Sequence, residues 1–191
     1  MTTIYRLLVV LLLISSAKAG DQEFTISVND TARCVECSSN RKNMSLTCKW
    51  YTVNVSDCPV SLSNVGILTR AAGCIVYSAA GSVIVKSELD AVELNFALYD
   101  VFNQHLITLR SSDVIELPVG SFELDAVKPP FAGRWDIPSY VDPDELLIVI
   151  AFPEKARLRT GEIWQIDYHM LTKKIQEIVP TAKFEPDSAR K

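Results

Sequence analysis

A chain of 191 residues, 48% of them hydrophobic, is long enough to bury a core of its own and suits one domain. Its 19 basic and 23 acidic residues give a formal net charge of −4 and form no basic stripe, which argues against a nucleic-acid partner.

Residues 1–6 carry one positive charge at Arg6, residues 7–14 are an unbroken apolar run, and Ala17-Lys18-Ala19 fits the small-x-small rule of signal peptidase. Cleavage is expected after Ala19, and losing Arg6 and Lys18 makes the mature chain more acidic still. A spanning helix needs about 20 apolar residues, so the run at 7–14 is too short to be one. The longest later apolar run, 146–152, is closed off by Glu145 and Pro153, so no transmembrane segment is expected. The expected organisation is a signal peptide at 1–19, a single domain at 20–180 and a polar tail at 181–191. The expected address is extracellular, by secretion, with a lysosome-like lumen as the alternative.

The mature chain opens polar. Within 20–74, Phe24-Thr25-Ile26-Ser27-Val28 alternates apolar and polar side chains, the period of a strand with one buried face. Three N-x-[ST] sequons follow, at Asn29, Asn43 and Asn54, and mark this part as glycosylated and exposed. All five cysteines lie here too: Cys34, Cys37, Cys48, Cys58 and Cys74. In a secreted chain they read as disulfides, two bridges and one unpaired thiol, the odd one offering a link to a second chain. Cys34 and Cys37 form a C-x-x-C, but a redox or zinc role needs a helix N-terminus or a second ligand pair, and neither is visible.

From 75 to 180 the chain is richer in Val, Ile, Leu, Phe and Tyr. The stretches 92–98 and 122–126 alternate, and further strands are expected at 46–53, 74–77, 82–86, 106–109, 114–117, 146–152 and 163–171. So many short strands between Gly, Pro, Asp and Ser specify an all-β fold, an antiparallel β-sandwich, immunoglobulin-like or cup-shaped, with a disulfide-bearing N-terminal region. The loop from Lys128 to Tyr140 carries three aromatics, Phe131, Trp135 and Tyr140, and is the candidate ligand-binding mouth. Asp142-Pro143-Asp144-Glu145 reads as a turn. The run 146–152 does not alternate. A strand apolar on both faces needs cover on both: a helix, a loop, a partner or a ligand. Residues 173–179 hold a helical hint, Ile175, Ile178 and Val179 near one face, with a terminal strand as the competing reading.

Catalytic signatures are absent. The two histidines, His105 and His169, sit in no metal-binding spacing, and there is no G-x-S-x-G, H-E-x-x-H or phosphate-cradling glycine loop. The expectation is a non-catalytic binding glycoprotein without metal or cofactor. One candidate partner is a lipid or other apolar small molecule held by removal of its CH₂ groups from water, about 0.8 kcal/mol each. Its cavity would be lined by Leu94, Phe96, Leu98, Ile148 and Ile150 or their neighbours.

Residues 115–171 carry Pro118-Val119-Gly120-Ser121-Phe122-Glu123-Leu124, then Ile137-Pro138-Ser139-Tyr140, the strand 146–152, a basic turn at 155–159 and a strand at 162–171. This order resembles the C-terminal part of the ML lipid-recognition family, its ganglioside-activator branch in particular. The resemblance implies an antiparallel sandwich or cup that binds lipid between its sheets without catalysis. It departs from the family in its cysteines: Leu117 and the stretch 163–171 have none where the family has two.

The second hypothesis is an extracellular protein-binding module of the immunoglobulin or fibronectin kind, receptor-like or adhesive. Cys37 followed after ten residues by Cys48-Lys49-Trp50 is similar to the first bridge and C-x-W of cytokine-receptor ectodomains. That likeness implies a Cys58–Cys74 second bridge with Cys34 free. A filled interior and an exposed apolar patch are expected of such a module. An unrecognised hydrolase is the third alternative.

Overall fold

The computed structural model describes residues 22–29, 33–34, 46–47, 49–71, 75–125, 130–132, 134–136 and 146–184. Among them the chain is mostly strand: β1 (Phe24–Asn29), β2 (Arg33–Cys34), β3 (Leu46–Thr47), β4 (Lys49–Val55), β5 (Val60–Ala71), β6 (Ile75–Val85), β7 (Leu89–Asp100), β8 (His105–Leu117), β9 (Gly120–Asp125), β10 (Phe131–Ala132), β11 (Arg134–Asp136), β12 (Leu146–Leu158) and β13 (Ile163–Gln165), then one helix, α1 (Tyr168–Ile175). No helix among the described residues is long and apolar enough to cross a membrane.

Two larger sheets form. The first runs β1-β4-β12-β7-β8, with β13 also paired to β12; the second runs β10-β9-β6-β11, with β5 along β6. Strands β2 and β3 make a separate pair. Pairing is antiparallel except between β12 and β4 and between β10 and β9. The chain changes sheet repeatedly, so buried residues of both sheets, among them Trp50, Leu94, Phe96, Leu98, Val83 and Leu124, belong to one apolar cluster. The Phe96 and Trp135 rings lie 5.2 Å apart and join β7 to β11. Asn54 of β4 adds a polar stitch: its Nδ2 donates to the Leu62 carbonyl (2.9 Å) and its Oδ1 accepts from the Leu62 amide (2.7 Å).

Several expected strands are pieces of longer ones. The stretches 74–77 and 82–86 fall on β6, whose Gly81 reads as a break but is a packing device. Its φ is +150°, and a Cβ there would stand 2.7 Å from Val65 Cα, where β5 bulges against it. The stretches 106–109 and 114–117 are both β8, continuous through the polar centre Arg110-Ser111-Ser112-Asp113. Strand β12 runs past Pro153 to Leu158 and absorbs most of the basic stretch expected as a turn; Pro153 is tolerated because the register slips between it and Lys155.

The C-terminal end corrects the expectation most. The strand foreseen at 163–171 stops at Gln165, and α1 begins at Tyr168. Asp167 decides the switch: its side chain accepts from the amides of His169 (2.8 Å) and Met170 (3.0 Å), an N-cap, while Lys173 and Lys174 complement the helix dipole in the last turn. Leu171 and Ile175 are buried, and the chain then folds back so that Val179, Ala182 and Phe184 are buried as well. Thr172 Oγ1 accepts from the Phe184 amide (3.1 Å), and Gln176 Nε2 donates to the Ala182 carbonyl (3.0 Å). Residues 166–184 thus make a cap, and each aliphatic side chain fully buried in it contributes about 1.5–3 kcal/mol.

Candidate functional site

The two central strands of the first sheet, β7 and β12, are buried on both faces over much of their length. Cross-strand partners share a face. Leu94, Phe96 and Leu98 pair with Pro153, Ala151 and Val149, and the Phe96–Trp135 contact turns this face toward the second sheet. Asn95, Ala97 and Tyr99 pair with Phe152, Ile150 and Ile148 on the outer face. Phe152 meets Phe184 edge-on at 5.2 Å, so the cap covers the outer face here. A non-alternating strand needed two covers, and the second is this helix and the segment after it.

Followed along β7, the outer face changes character. Under the cap it is apolar. At Asn95 and Glu93 it becomes a polar cluster, and at Ala91 it is half-buried. The cluster centres on Glu154, 1% exposed, two residues after Phe152 on the same face, and the irregularity after Pro153 then sets Lys155 opposite Glu93. Asn95 Nδ2 and the Tyr168 hydroxyl both donate to its carboxylate, so the first residue of α1 is tied to β12. Arg110 reaches across from β8, with Nε 2.8 Å from Glu93 and Nη2 3.5 Å from Glu154, while Lys155 Nζ lies 3.8 Å from Glu154. Burial first, and then the neighbouring Glu154, push the Glu93 carboxyl up to about 7 against the pull of Arg110 and Lys155.

Beyond the cluster, Val114 of β8, Ala91 of β7, Arg157 of β12 and Ile163 of β13 stand in register across four strands. Val114 is 89% exposed and Ile163 65%. Charges of both signs lie around the row: Arg157 near Asp90 (3.9 Å), and Arg159 near Asp90 (3.8 Å), Glu88 (3.9 Å) and Glu116 (3.0 Å).

The residues singled out from sequence lie elsewhere. Phe131 is wholly buried, its ring 6.1 Å from that of Phe122. Trp135 is half-buried against Phe96, and its Nε1 donates to the Arg110 carbonyl at 2.6 Å. Tyr140 falls outside the described residues, as do Asn43, the acidic turn at 142–145, the segments 1–21 and 185–191, and Cys37, Cys48 and Cys74. Leu94, Phe96 and Leu98 occupy the face opposite Ile148 and Ile150, so these five do not line one space. Cys58 is a free, buried thiol, which corrects the Cys58–Cys74 pairing implied by the receptor likeness. Burial pushes this thiol up to about 12, with the Val60 amide donating to its sulfur at 3.4 Å. Asn29 ends the edge strand β1, and Asn54 holds the amide contacts with Leu62 described above. His169 is exposed on α1, and His105 Nε2 is 2.8 Å from Thr108 Oγ1. No set of His, Cys, Asp and Glu among the described residues is arranged to hold a metal ion.

Sequence reasoning passed over Glu93, Asn95, Arg110, Glu154 and Tyr168. One signal was available: an acidic residue directly after a seven-residue apolar run and a proline. No protein-family model matches this chain, and no curated protein or solved structure is significantly similar to it.

Proposed function

We propose that this is a secreted, non-catalytic binding glycoprotein whose recognition surface is the outer face of the first sheet, offered to an extracellular protein. The two sheets are read as an antiparallel β-sandwich of the immunoglobulin-like kind, with bridges among Cys34, Cys37, Cys48 and Cys74. The observation that carries the reading is the row Val114, Ala91, Arg157 and Ile163, whose two ends are exposed apolar side chains, with Arg159, Asp90 and Glu116 around it. A strip that sets exposed apolar side chains among charges of both signs has the anatomy of a protein–protein contact. Val114→Asp and Ile163→Asp place a charge on the strip without touching the buried cluster. Cross-linking of the secreted protein in its native fluid is expected to give a defined adduct that both variants lose while keeping the wild-type circular dichroism. An adduct unaffected by either substitution counts against this surface.

A second reading, carriage of a lipid or other apolar ligand, draws on the ML resemblance of residues 115–171 and on the large apolar area beneath the cap. Native mass spectrometry of the secreted protein separates the two: a co-purified lipid favours carriage, and the bare polypeptide mass favours surface recognition.

A further inference from the structure

The capped apolar part of the outer face, the carboxyl cluster and the exposed row are consecutive along the same strands, and the cluster lies where the cap ends. We propose that Glu93 and Glu154, tied through Tyr168 to α1, form a proton-operated latch that sets how tightly residues 166–184 cover the outer face. Tyr168 is the cap's side-chain hold on β12, beside the backbone bond from the Ile166 amide to the Glu154 carbonyl (3.0 Å), and its acceptor, Glu154, is buried beside a second carboxyl. The charged and titratable groups facing the pair are Arg110 from β8, Lys155 from β12 and Tyr168 from α1. With a proton from solvent on Glu93, the two carboxyls share a hydrogen bond while Glu154 still accepts from Asn95 and Tyr168. Without it, the charge on Glu93 stands beside a second carboxyl in a site mostly shut off from water, and lifting the cap lets water reach it.

The sign follows from the raised affinity of Glu93 for its proton, ordinarily 4.5 and here about 7. Closure is unpenalised below the ordinary value, and its stability is lost as pH rises through about 7. The cap is therefore tight in mildly acidic fluid and looser above neutrality. Loosening extends the exposed row into the apolar surface of Ala97, Ile148, Ile150 and Phe152. That last consequence rests on the outer face being the recognition surface; the latch itself does not.

Hydrogen–deuterium exchange on the isolated protein reads the latch directly, whatever the outcome of partner cross-linking. After correction for intrinsic exchange, opening of 166–184 relative to the centre of β7 is expected to rise by about thirtyfold between pH 5.5 and pH 8, as a proton held at about 7 when closed and at the ordinary 4.5 when open requires. Glu93→Gln is expected to keep the cap closed at both pH values, and Tyr168→Phe to loosen it at both. A wild-type cap whose relative opening does not change with pH overturns the latch even if a variant fails to fold. So does a pH response that Glu93→Gln leaves intact.

Discussion

Cys58 illustrates how a single side chain resolves an ambiguity that arithmetic leaves open. Five cysteines cannot all pair with one another, and the buried thiol of Cys58 is free in the structure. A thiol reacts as its thiolate, and burial has pushed this one up to about 12, so at pH 8 it is almost wholly protonated. Native protein is expected to resist alkylation at Cys58 at pH 8 and to be labelled there once denatured, as peptide mass mapping will register. Non-reducing maps are expected to place the other four cysteines in two bridges; a bridge to Cys58 contradicts the assignment. Glu154 makes the opposite point. A carboxylate this deeply buried needs several partners to be tolerated, and it draws them from three strands and a helix, none of them near it in sequence except Lys155.

At the scale of elements, strand content was legible because alternation is local. Val92, Leu94, Phe96 and Leu98 are all buried, as the period of two requires. Strand lengths were less legible. Gly81 and the run Arg110-Ser111-Ser112-Asp113 carry the composition of turns, but their backbones stay in the ladder because neighbouring strands hold them there. The last element was misjudged for a specific reason. Ile163-Trp164-Gln165-Ile166 begins a strand pattern, and Asp167 ends it by capping the amides two and three residues on. Asp167→Ala removes that acceptor at a cost of about 1 kcal/mol. The expected result is faster amide exchange in α1 with little change in β7; equal loosening of both counts against a local capping role.

For the whole molecule, the outcome is three layers: second sheet, first sheet and cap. Buried residues of all three belong to one cluster, Leu124 on one side, Leu94 and Phe152 in the middle, Leu171 and Phe184 on the other. Calorimetry is accordingly expected to give a single cooperative transition at pH 5.5, because no layer has a core separate from the others. A resolved early transition at that pH, before the latch loosens, indicates a cap that folds apart from the sheets. The candidate site is a product of this layering. Glu93, Arg110, Glu154 and Tyr168 belong to four different elements, and their separation in the chain hid them among ordinary surface charges.

Composition and periodicity alone determined that the chain is all-β, because side-chain alternation depends only on near neighbours. The same local pattern showed that the run at 146–152 needs cover on both faces. What supplies that cover, that the Cys58 thiol is free and buried, and where the carboxyls meet were decided by tertiary structure only. Each depends on strands distant in sequence being brought into register, and on a helix whose apolar face has no meaning until a sheet lies beneath it.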